Sequence, residues 1–98
     1  MKVHDLKILP EYYDAVRNGT KRFELRRDDR GFQVRDVLCL WKTIKDGTGR
    51  PQVTGEVIWT EITYILRGTP QYGLGEGYAI LSLGECIEGY EETDQCSQ

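Results

Sequence analysis

The sequence predicts an α+β domain in which about five strands close into a small mixed β-barrel, with one short helix near the start. Three observations lead to this prediction. The chain has 98 residues and a hydrophobic fraction of 39%, which suits a single core. Most of its apolar residues alternate with polar ones or form short runs rich in Val, Ile, Tyr and Trp, as strands do. One early segment combines a helix start signal with a helix stop signal.

The first two elements are a strand and this helix. Residues 4–8 alternate between apolar and polar side chains, the period-2 pattern of a half-buried strand. Pro10 suits the first position of a helix, and Gly19 supplies a stop after about two turns. Within the helix Tyr12 and Val16 lie four residues apart, so we expect both side chains to face the core.

The segment that follows the helix stop is a strand with a dense charge pattern. Its alternation places Phe23 and Leu25 in the core, and the opposite face carries Arg22, Glu24 and Arg26. An arginine on each side favours the ionised form of Glu24. Such a carboxylate accepts a hydrogen bond from a base amino group or orients a neighbouring lysine. The alternative is a solvated face of surface ion pairs, each of which contributes little.

The rest of the chain is strand-like apart from its turns. An uninterrupted apolar run at residues 37–41 comes first, and such a run is typical of a strand that is covered on both faces. The next segment is long for one strand, so we expect a bend or bulge at Gly55 or near Glu61. Residues 68–77 hold four glycines and a proline, which predicts a loop before the last strand. The three predicted strands are residues 37–41, 53–66 and 78–83.

Charge divides the chain into a domain at residues 1–83 and an acidic tail at 84–98. The tail carries five acids and no Lys or Arg, which predicts a disordered segment. The formal net charge is −3, but without those five acids the remaining 13 basic and 11 acidic residues give +2. Seven of the 13 basic residues lie between residues 17 and 35. The acidic overall balance therefore hides a cationic region.

Composition also excludes several classes of protein. The three cysteines form no C-x-x-C pair and have no histidine at ligand spacing, so we predict no metal and no cofactor. The start lacks the apolar run of a signal peptide, and no segment has the roughly 18 apolar residues needed to cross a bilayer. We therefore expect a cytoplasmic protein with reduced thiols that does not bind membranes, and we favour a monomer.

Three stretches of the sequence resemble a known family. They are K-I-L-P-E-Y-Y at 7–13, G-T-K-R-F-E-L-R at 19–26 and D-R-G-F-Q-V-R-D-V-L at 29–38. Over residues 1–83 the chain looks like the ASCH domains of the PUA-like superfamily, nearest to a small bacterial and phage branch of unknown function. The resemblance implies a PUA-like β-barrel with a cleft beside the early helix, in a superfamily whose members mostly bind RNA. Some ASCH relatives are hydrolases that act on modified nucleosides or RNA.

Position by position, the resemblance matches Lys21 to the family's cleft lysine, Glu24 to its usual acid and Arg26 to its usual arginine. Strict alternation puts Lys21 on the side of Phe23, so it joins Glu24 only if it lies in the turn that leaves the helix. The nucleoside amidohydrolase branch differs from this chain, because it has a threonine in place of Glu24 and a helical insertion with a catalytic acid. The chain also has Arg35 where related sequences favour glycine.

These features leave three functions open, of which we favour the first. It is recognition of RNA or a nucleoside without catalysis, in which phosphate contacts provide salt-sensitive affinity and Glu24 provides selectivity. The second is a small hydrolase of a modified nucleoside or RNA that uses Lys21 and Glu24. The third is a phage or mobile-element module that binds a host protein through its barrel and acidic tail. The residues predicted to contact nucleic acid are Lys21, Arg22, Glu24, Arg26, Arg27, Arg30 and, by stacking on an unpaired base, Tyr72.

Overall fold

A computed structural model describes residues 1–88, in which five strands form one mixed sheet and a single short helix follows the first strand. The α+β class, the five strands and the early helix are confirmed. A 3₁₀ turn joins the last two strands. In chain order the elements are β1 (Val3–Ile8), α1 (Pro10–Arg17), β2 (Phe23–Arg27), β3 (Val37–Lys45), β4 (Pro51–Thr69), the 3₁₀ turn (Pro70–Tyr72) and β5 (Leu74–Cys86).

The strands lie in the order β1-β3-β4-β5-β2, so β1 and β2 are the two edges of the sheet. β1 pairs with β3 in parallel, and the other neighbouring strands pair antiparallel. The predicted closure into a barrel is not confirmed, because the ladder of backbone hydrogen bonds is open between β1 and β2. Two arginine side chains bridge this opening instead. Arg26 donates to the carbonyl oxygen of Lys7 at 2.6 Å, and Arg30 donates to that of Asp5 at 3.1 Å. Edge carbonyls of β1 thus find donors without a strand partner.

The core lies between α1 and the inner face of the sheet. The alternation predicted for β1 is confirmed, since Leu6 and Ile8 are buried there. The orientation predicted for the helix is wrong in one residue: Tyr13 and Val16 are buried, whereas Tyr12 is half exposed. Successive helical residues point about 100° apart, so only one of two adjacent tyrosines faces the core.

The two central strands match the sequence pattern closely. β3 begins with four fully or nearly fully buried residues, as expected for a strand covered on both faces. β4 is 19 residues long and has the predicted irregularities. Gly55 has a φ of +95° and falls in a break in the register with β3, and a second register shift lies around Glu61. Both breaks bend the long strand.

The predicted orientation of β2 is inverted. Glu24 is 4% exposed and faces the core side, whereas Phe23 and Leu25 are 47% and 54% exposed. The cause is the pairing with β5, in which Glu24 lies directly opposite the fully buried Leu81 and Phe23 lies opposite Ser82. Directly opposite residues of an antiparallel pair share a face, so the apolar alternation of β5 decides which side of β2 turns inward.

The glycine-rich segment is shorter as a loop than predicted, because strand pairing continues on both sides of it. β4 reaches Thr69, which pairs with Leu74, and the 3₁₀ turn closes the hairpin. Gly68 is required here by close packing: a Cβ at this position would lie 2.8 Å from the carbonyl oxygen of Gly75. The glycines therefore allow two backbones to approach within a hairpin.

The boundary of the predicted tail falls inside the last strand. β5 continues to Cys86, and the carbonyl oxygen of Gly84 accepts a hydrogen bond from the Thr60 hydroxyl at 2.8 Å. The backbone N–H of Ile87 also donates to the carbonyl oxygen of Trp59 at 2.7 Å. Residues 84–87 therefore pack against β4, and the remainder of the predicted tail, residues 89–98, lies outside the described residues.

Arg35 has a φ of +82°, the left-handed conformation that residues with a side chain rarely adopt. Its backbone N–H donates to the carbonyl oxygen of Ile62 at 2.8 Å, and the Ile62 N–H donates to the backbone carbonyl oxygen of Asp36 at 2.8 Å. These two bonds join the loop before β3 to β4. Glycine would adopt this conformation without the steric cost that a side chain carries.

Candidate functional site

Glu24 is the centre of the candidate site. Its two carboxylate oxygens each accept a hydrogen bond from a cation that the same segment supplies. Lys21 Nζ donates to Oε1 at 2.8 Å, and Arg26 Nε donates to Oε2 at 2.7 Å. A buried carboxylate needs such partners, because burial without them carries a large desolvation penalty. The three side chains form one cluster with a formal charge of +1.

Lys21 reaches Glu24 because it lies in the turn that leaves the helix, as the resemblance required. Gly19 has a φ of +88°, and the backbone N–H of Lys21 donates to the carbonyl oxygen of Ala15 at the end of α1. The Lys21 ammonium also donates to the Phe23 carbonyl oxygen at 2.7 Å. Its direction is therefore set by two acceptors in β2.

Two aromatic rings complete the surroundings of Lys21. Its Nζ lies 5.4 Å from the ring centroid of Tyr12 and 4.8 Å from that of Phe23, both within the range of a cation–π contact. The rings take these positions because Tyr12 is turned away from the core and Phe23 lies on the exposed side of β2. The two departures from the predicted orientations thus build the walls of the site.

Arg26 joins the cluster to the opposite edge of the sheet. Its terminal nitrogen contacts Glu24 Oε2 at 2.6 Å and donates to the Lys7 carbonyl oxygen of β1, also at 2.6 Å. A planar guanidinium offers several donors in a fixed fork, so one side chain serves both acceptors. Arg26 therefore holds the carboxylate and closes the gap between the edges at the same time.

These residues surround an open hollow of about 270 Å³ that is lined by Tyr12, Lys21, Phe23, Glu24 and Leu25. A second hollow of about 230 Å³ continues from it along the end of β1 and shares three of these residues with it. The walls of the first hollow are mostly apolar, and the charged groups that line it are the Glu24 carboxylate and the Lys21 ammonium. A carboxylate beside apolar walls can accept hydrogen bonds from a ligand whose apolar faces contact those walls.

The other predicted contact residues are not gathered at this hollow. Arg22 is exposed and lines a separate hollow beside the end of α1. Arg27 lies on the face of β2 opposite to that of Glu24, and its guanidinium is 5.4 Å from the ring of Tyr78. Arg30 contacts the β1 edge, and Tyr72 lies on the 3₁₀ turn and is 85% exposed. The structure thus brings Lys21, Glu24 and Arg26 together and places the remaining four elsewhere.

A second buried carboxylate, that of Asp36, was not singled out as a site from the sequence. Its oxygens accept hydrogen bonds from the backbone N–H groups of Lys2 and Gln33, both at 3.0 Å, and from the ring of His4 at 2.8 Å. The His4 ring packs edge-on against Phe32 with 4.8 Å between centroids. The inward alternation of residues 4, 6 and 8 was the available signal, since a buried histidine requires a polar partner.

The surroundings of Asp36 act on its pKa in opposite directions. Burial by itself raises the pKa of this carboxyl, but the hydrogen bonds from the His4 ring and from the N–H groups of Lys2 and Gln33 outweigh it. The pKa of Asp36 therefore lies below its ordinary value. No hollow opens onto this carboxylate among those found in residues 1–88.

Two further features concern the described part of the chain as a whole. No group of three or more His, Cys, Asp or Glu side chains in residues 1–88 is placed to hold a metal ion. None of its helices has the length and apolar character needed to cross a membrane.

Comparison with known proteins identifies a family and a relative of this chain. The family model described as a domain of unknown function (DUF3850) matches residues 3–83. A protein of Escherichia phage P2, described as an uncharacterized 12.9 kDa protein in the GpA 3' region, is 36% identical over 44 residues. That alignment covers 45% of this chain and 40% of the phage protein, so the similarity spans less than half of either.

Proposed function

The chain belongs to the DUF3850 family, and we propose that it binds RNA or a nucleoside through the hollow around Glu24. The observation that carries this proposal is a carboxylate only 4% exposed that is held between two cations at the floor of an aromatic hollow. A carboxylate is the acceptor that matches amino and imino donors on the edge of a base. Glu24 is the residue that selects the ligand.

The walls suit a base for a second reason. RNA-binding modules commonly hold unstacked bases against aromatic side chains while polar groups contact the base edge. Tyr12 and Phe23 provide ring surfaces beside Glu24, and Leu25 adds an apolar contact. The resemblance to ASCH domains of the PUA-like superfamily, in which a cleft lies beside the early helix, supports the same assignment.

The phosphate backbone is contacted by the exposed arginines outside the hollow. Arg22 and Arg27 are exposed on either end of β2, and Arg30 follows the strand. Arg26 is different, because its guanidinium is already shared between Glu24 and Lys7. We therefore assign phosphate contacts to Arg22, Arg27 and Arg30 and a positioning role to Arg26. Binding of this kind weakens as the salt concentration rises.

Hydrolysis of a modified nucleoside is the second candidate, and the 2.8 Å contact between Lys21 Nζ and Glu24 is the observation in its favour. However, Lys21 Nζ donates to two oxygens and lies over two rings, so the nitrogen is engaged within the protein. A nucleophilic lysine needs its free lone pair. Binding without catalysis therefore fits the geometry better.

The first experiment measures binding of fluorescently labelled RNA by anisotropy and of nucleosides by calorimetry, at several salt concentrations. We expect salt-sensitive RNA binding that weakens about tenfold in Glu24→Gln, because a hydrogen bond to a charged acceptor is lost. Glu56→Gln is the matched control: it removes the same charge from an exposed carboxylate whose partner is Lys42.

Three results would contradict the proposal. One is the absence of any salt-sensitive association with RNA and of nucleoside binding at low ionic strength. A second is an equal effect of Glu24→Gln and Glu56→Gln, which would mean that only net charge matters. The third is release of product when acylated nucleosides are added to the same protein. Loss of this release in Lys21→Ala would establish the hydrolase instead.

A further inference from the structure

The surface of β2, β5 and β4 that faces away from the core is apolar and continuous. In the antiparallel register Leu25 lies opposite Ile80, and Ile80 lies opposite Leu66, so these three side chains form a row across the strands. The neighbouring row has an aromatic ring on each side of a serine, and a tyrosine lies in the row on the other side. We call this surface the outer face, formed by Phe23, Leu25, Tyr64, Leu66, Tyr78 and Ile80.

The apolar side chains of the outer face are unusually exposed. Tyr64 is 62% exposed, and Phe23, Leu25, Leu66 and Tyr78 also belong to the large exposed apolar residues. Single exposed apolar side chains are normal on a protein surface. Five large ones on three neighbouring strands form one patch, and such patches mark interaction sites.

The positive charge at the two ends of the outer face favours a polyanion as the ligand of this surface. The cluster of Lys21, Glu24 and Arg26, with its formal charge of +1, borders one end, where Lys21 Nζ lies 4.8 Å from the Phe23 ring. At the other end the Arg27 guanidinium lies 5.4 Å from the Tyr78 ring. The carboxylate of Asp28, which follows Arg27, is paired with Arg67 at 3.1 Å. A second copy of the chain docked here about a two-fold axis would bring these cations together, which is unfavourable.

The outer face is also continuous with the proposed site. Phe23 and Leu25 line the hollow around Glu24 and belong to the outer face as well. A chain of nucleotides that places one base in the hollow therefore passes directly onto the exposed rings. Aromatic residues on a sheet surface, flanked by cations, are the arrangement on which successive unpaired bases stack.

We propose that the outer face is a stacking surface for single-stranded RNA, which extends the site at Glu24 to several nucleotides. The inference rests on the proposed function and names its substrate class. A double helix keeps its bases paired inside and offers no free base faces for these rings. The protein thus selects unpaired RNA, with the phosphates near Arg27.

The test compares a labelled single strand of about ten nucleotides, within the usual footprint of such surfaces, with the duplex of the same sequence. We expect the duplex to bind at least about tenfold more weakly, since its bases cannot stack on the rings. Tyr64→Ser removes a ring that does not line the hollow, and we expect about tenfold weaker binding of the single strand. Binding of a mononucleoside, which occupies only the hollow, remains unchanged. Ile44→Ser is the control, since Ile44 is comparably exposed at the β3–β4 hairpin.

The outcomes separate this inference from the proposed function. If Glu24→Gln weakens binding but Tyr64→Ser and Leu66→Ser behave like Ile44→Ser, the outer face is not a stacking surface and the hollow still binds RNA. If Tyr64→Ser weakens binding but Glu24→Gln does not, the assignment of the hollow is wrong. A change in oligomeric state of Tyr64→Ser by sedimentation, with RNA affinity unchanged, would make the outer face an interface between copies and overturn the inference.

Discussion

Glu24 and Asp36 are two buried carboxylates in one small domain, and their partners differ in kind. Glu24 is 4% exposed and Asp36 is 3% exposed, so burial alone does not distinguish them. Asp36 accepts hydrogen bonds from two backbone N–H groups and a histidine ring. Glu24 accepts from the long side chains of Lys21 and Arg26, which also border an open hollow.

Under the proposed function, this difference in surroundings separates a structural carboxylate from one that binds a ligand. Backbone donors are held in place by the fold and satisfy Asp36 within the protein. Side-chain donors beside a hollow leave room for a ligand to share the carboxylate. Asp36 also joins three segments. The backbone N–H groups of Lys2, just before β1, and of Gln33, in the loop before β3, donate to its carboxylate, and the N–H of Ile62 in β4 donates to its backbone carbonyl oxygen. We therefore expect substitutions at Asp36 to change stability and substitutions at Glu24 to change binding.

The largest expected effect is that of Asp36→Ala on stability. Removing this carboxylate leaves the buried His4 ring and two partly buried N–H groups without their acceptor, at a cost of about 3 kcal/mol in the free energy of unfolding. Glu24→Gln keeps its shape and one acceptor oxygen, and its cationic neighbours are partly exposed, so we expect a loss of about 1 kcal/mol. Urea denaturation followed by circular dichroism measures both values. Equal losses would remove the distinction between the two carboxylates.

An intermediate effect is expected from acid. The pKa of Asp36 in the folded protein lies below its ordinary value of 3.8, so on acidification the unfolded chain takes up this proton first. The stability that Asp36 contributes is present above pH 3.8 and is lost as the pH falls through the folded value.

The variant Asp36→Asn tests this pH dependence. Below about pH 4 its unfolding free energy, measured by urea denaturation, should fall less steeply than that of the original chain. Some acid sensitivity remains, because a hydrogen bond from the Thr48 hydroxyl and others from neighbouring N–H groups lower the pKa of Asp46 to about 2. Parallel curves for Asp36→Asn and the original chain would show that Asp36 is not the group responsible.

The smallest expected effect is a gain in stability from Arg35→Gly. Arg35 has a φ of +82°, and glycine adopts this conformation without the steric cost that a side chain carries. Part of that gain is offset by the greater freedom of glycine in the unfolded chain, so we expect a net gain of up to about 1 kcal/mol. Binding at Glu24 should be unchanged.

Arg50→Gly is the control for this variant. Arg50 is an exposed residue of the β3–β4 turn, and it is not among the residues of the described chain with a positive φ. Its replacement should lower stability slightly, because only the unfolded state gains freedom. A loss of stability in Arg35→Gly as large as in Arg50→Gly would contradict the argument from backbone conformation.

Much of the fold was predictable because it depends on local pattern. Pro10 at the start of α1, the buried run at the start of β3 and the break at Gly55 are each consequences of neighbouring residues. The Lys21, Glu24 and Arg26 cluster was predictable as a set only through the resemblance to ASCH domains. Its place in the molecule was not, since the alternation of β2 allows either face to turn inward.

The sequence by itself determined the class of fold, the early helix and the order of the strands along the chain, and its family resemblance indicated Lys21, Glu24 and Arg26. Only the tertiary structure decided that Glu24 is buried, that Tyr12 and Phe23 form walls, and that arginines bridge the two sheet edges. The reason is that pattern acts over a few residues, whereas the inward face of β2 is set by its pairing with β5, more than 50 positions away along the chain.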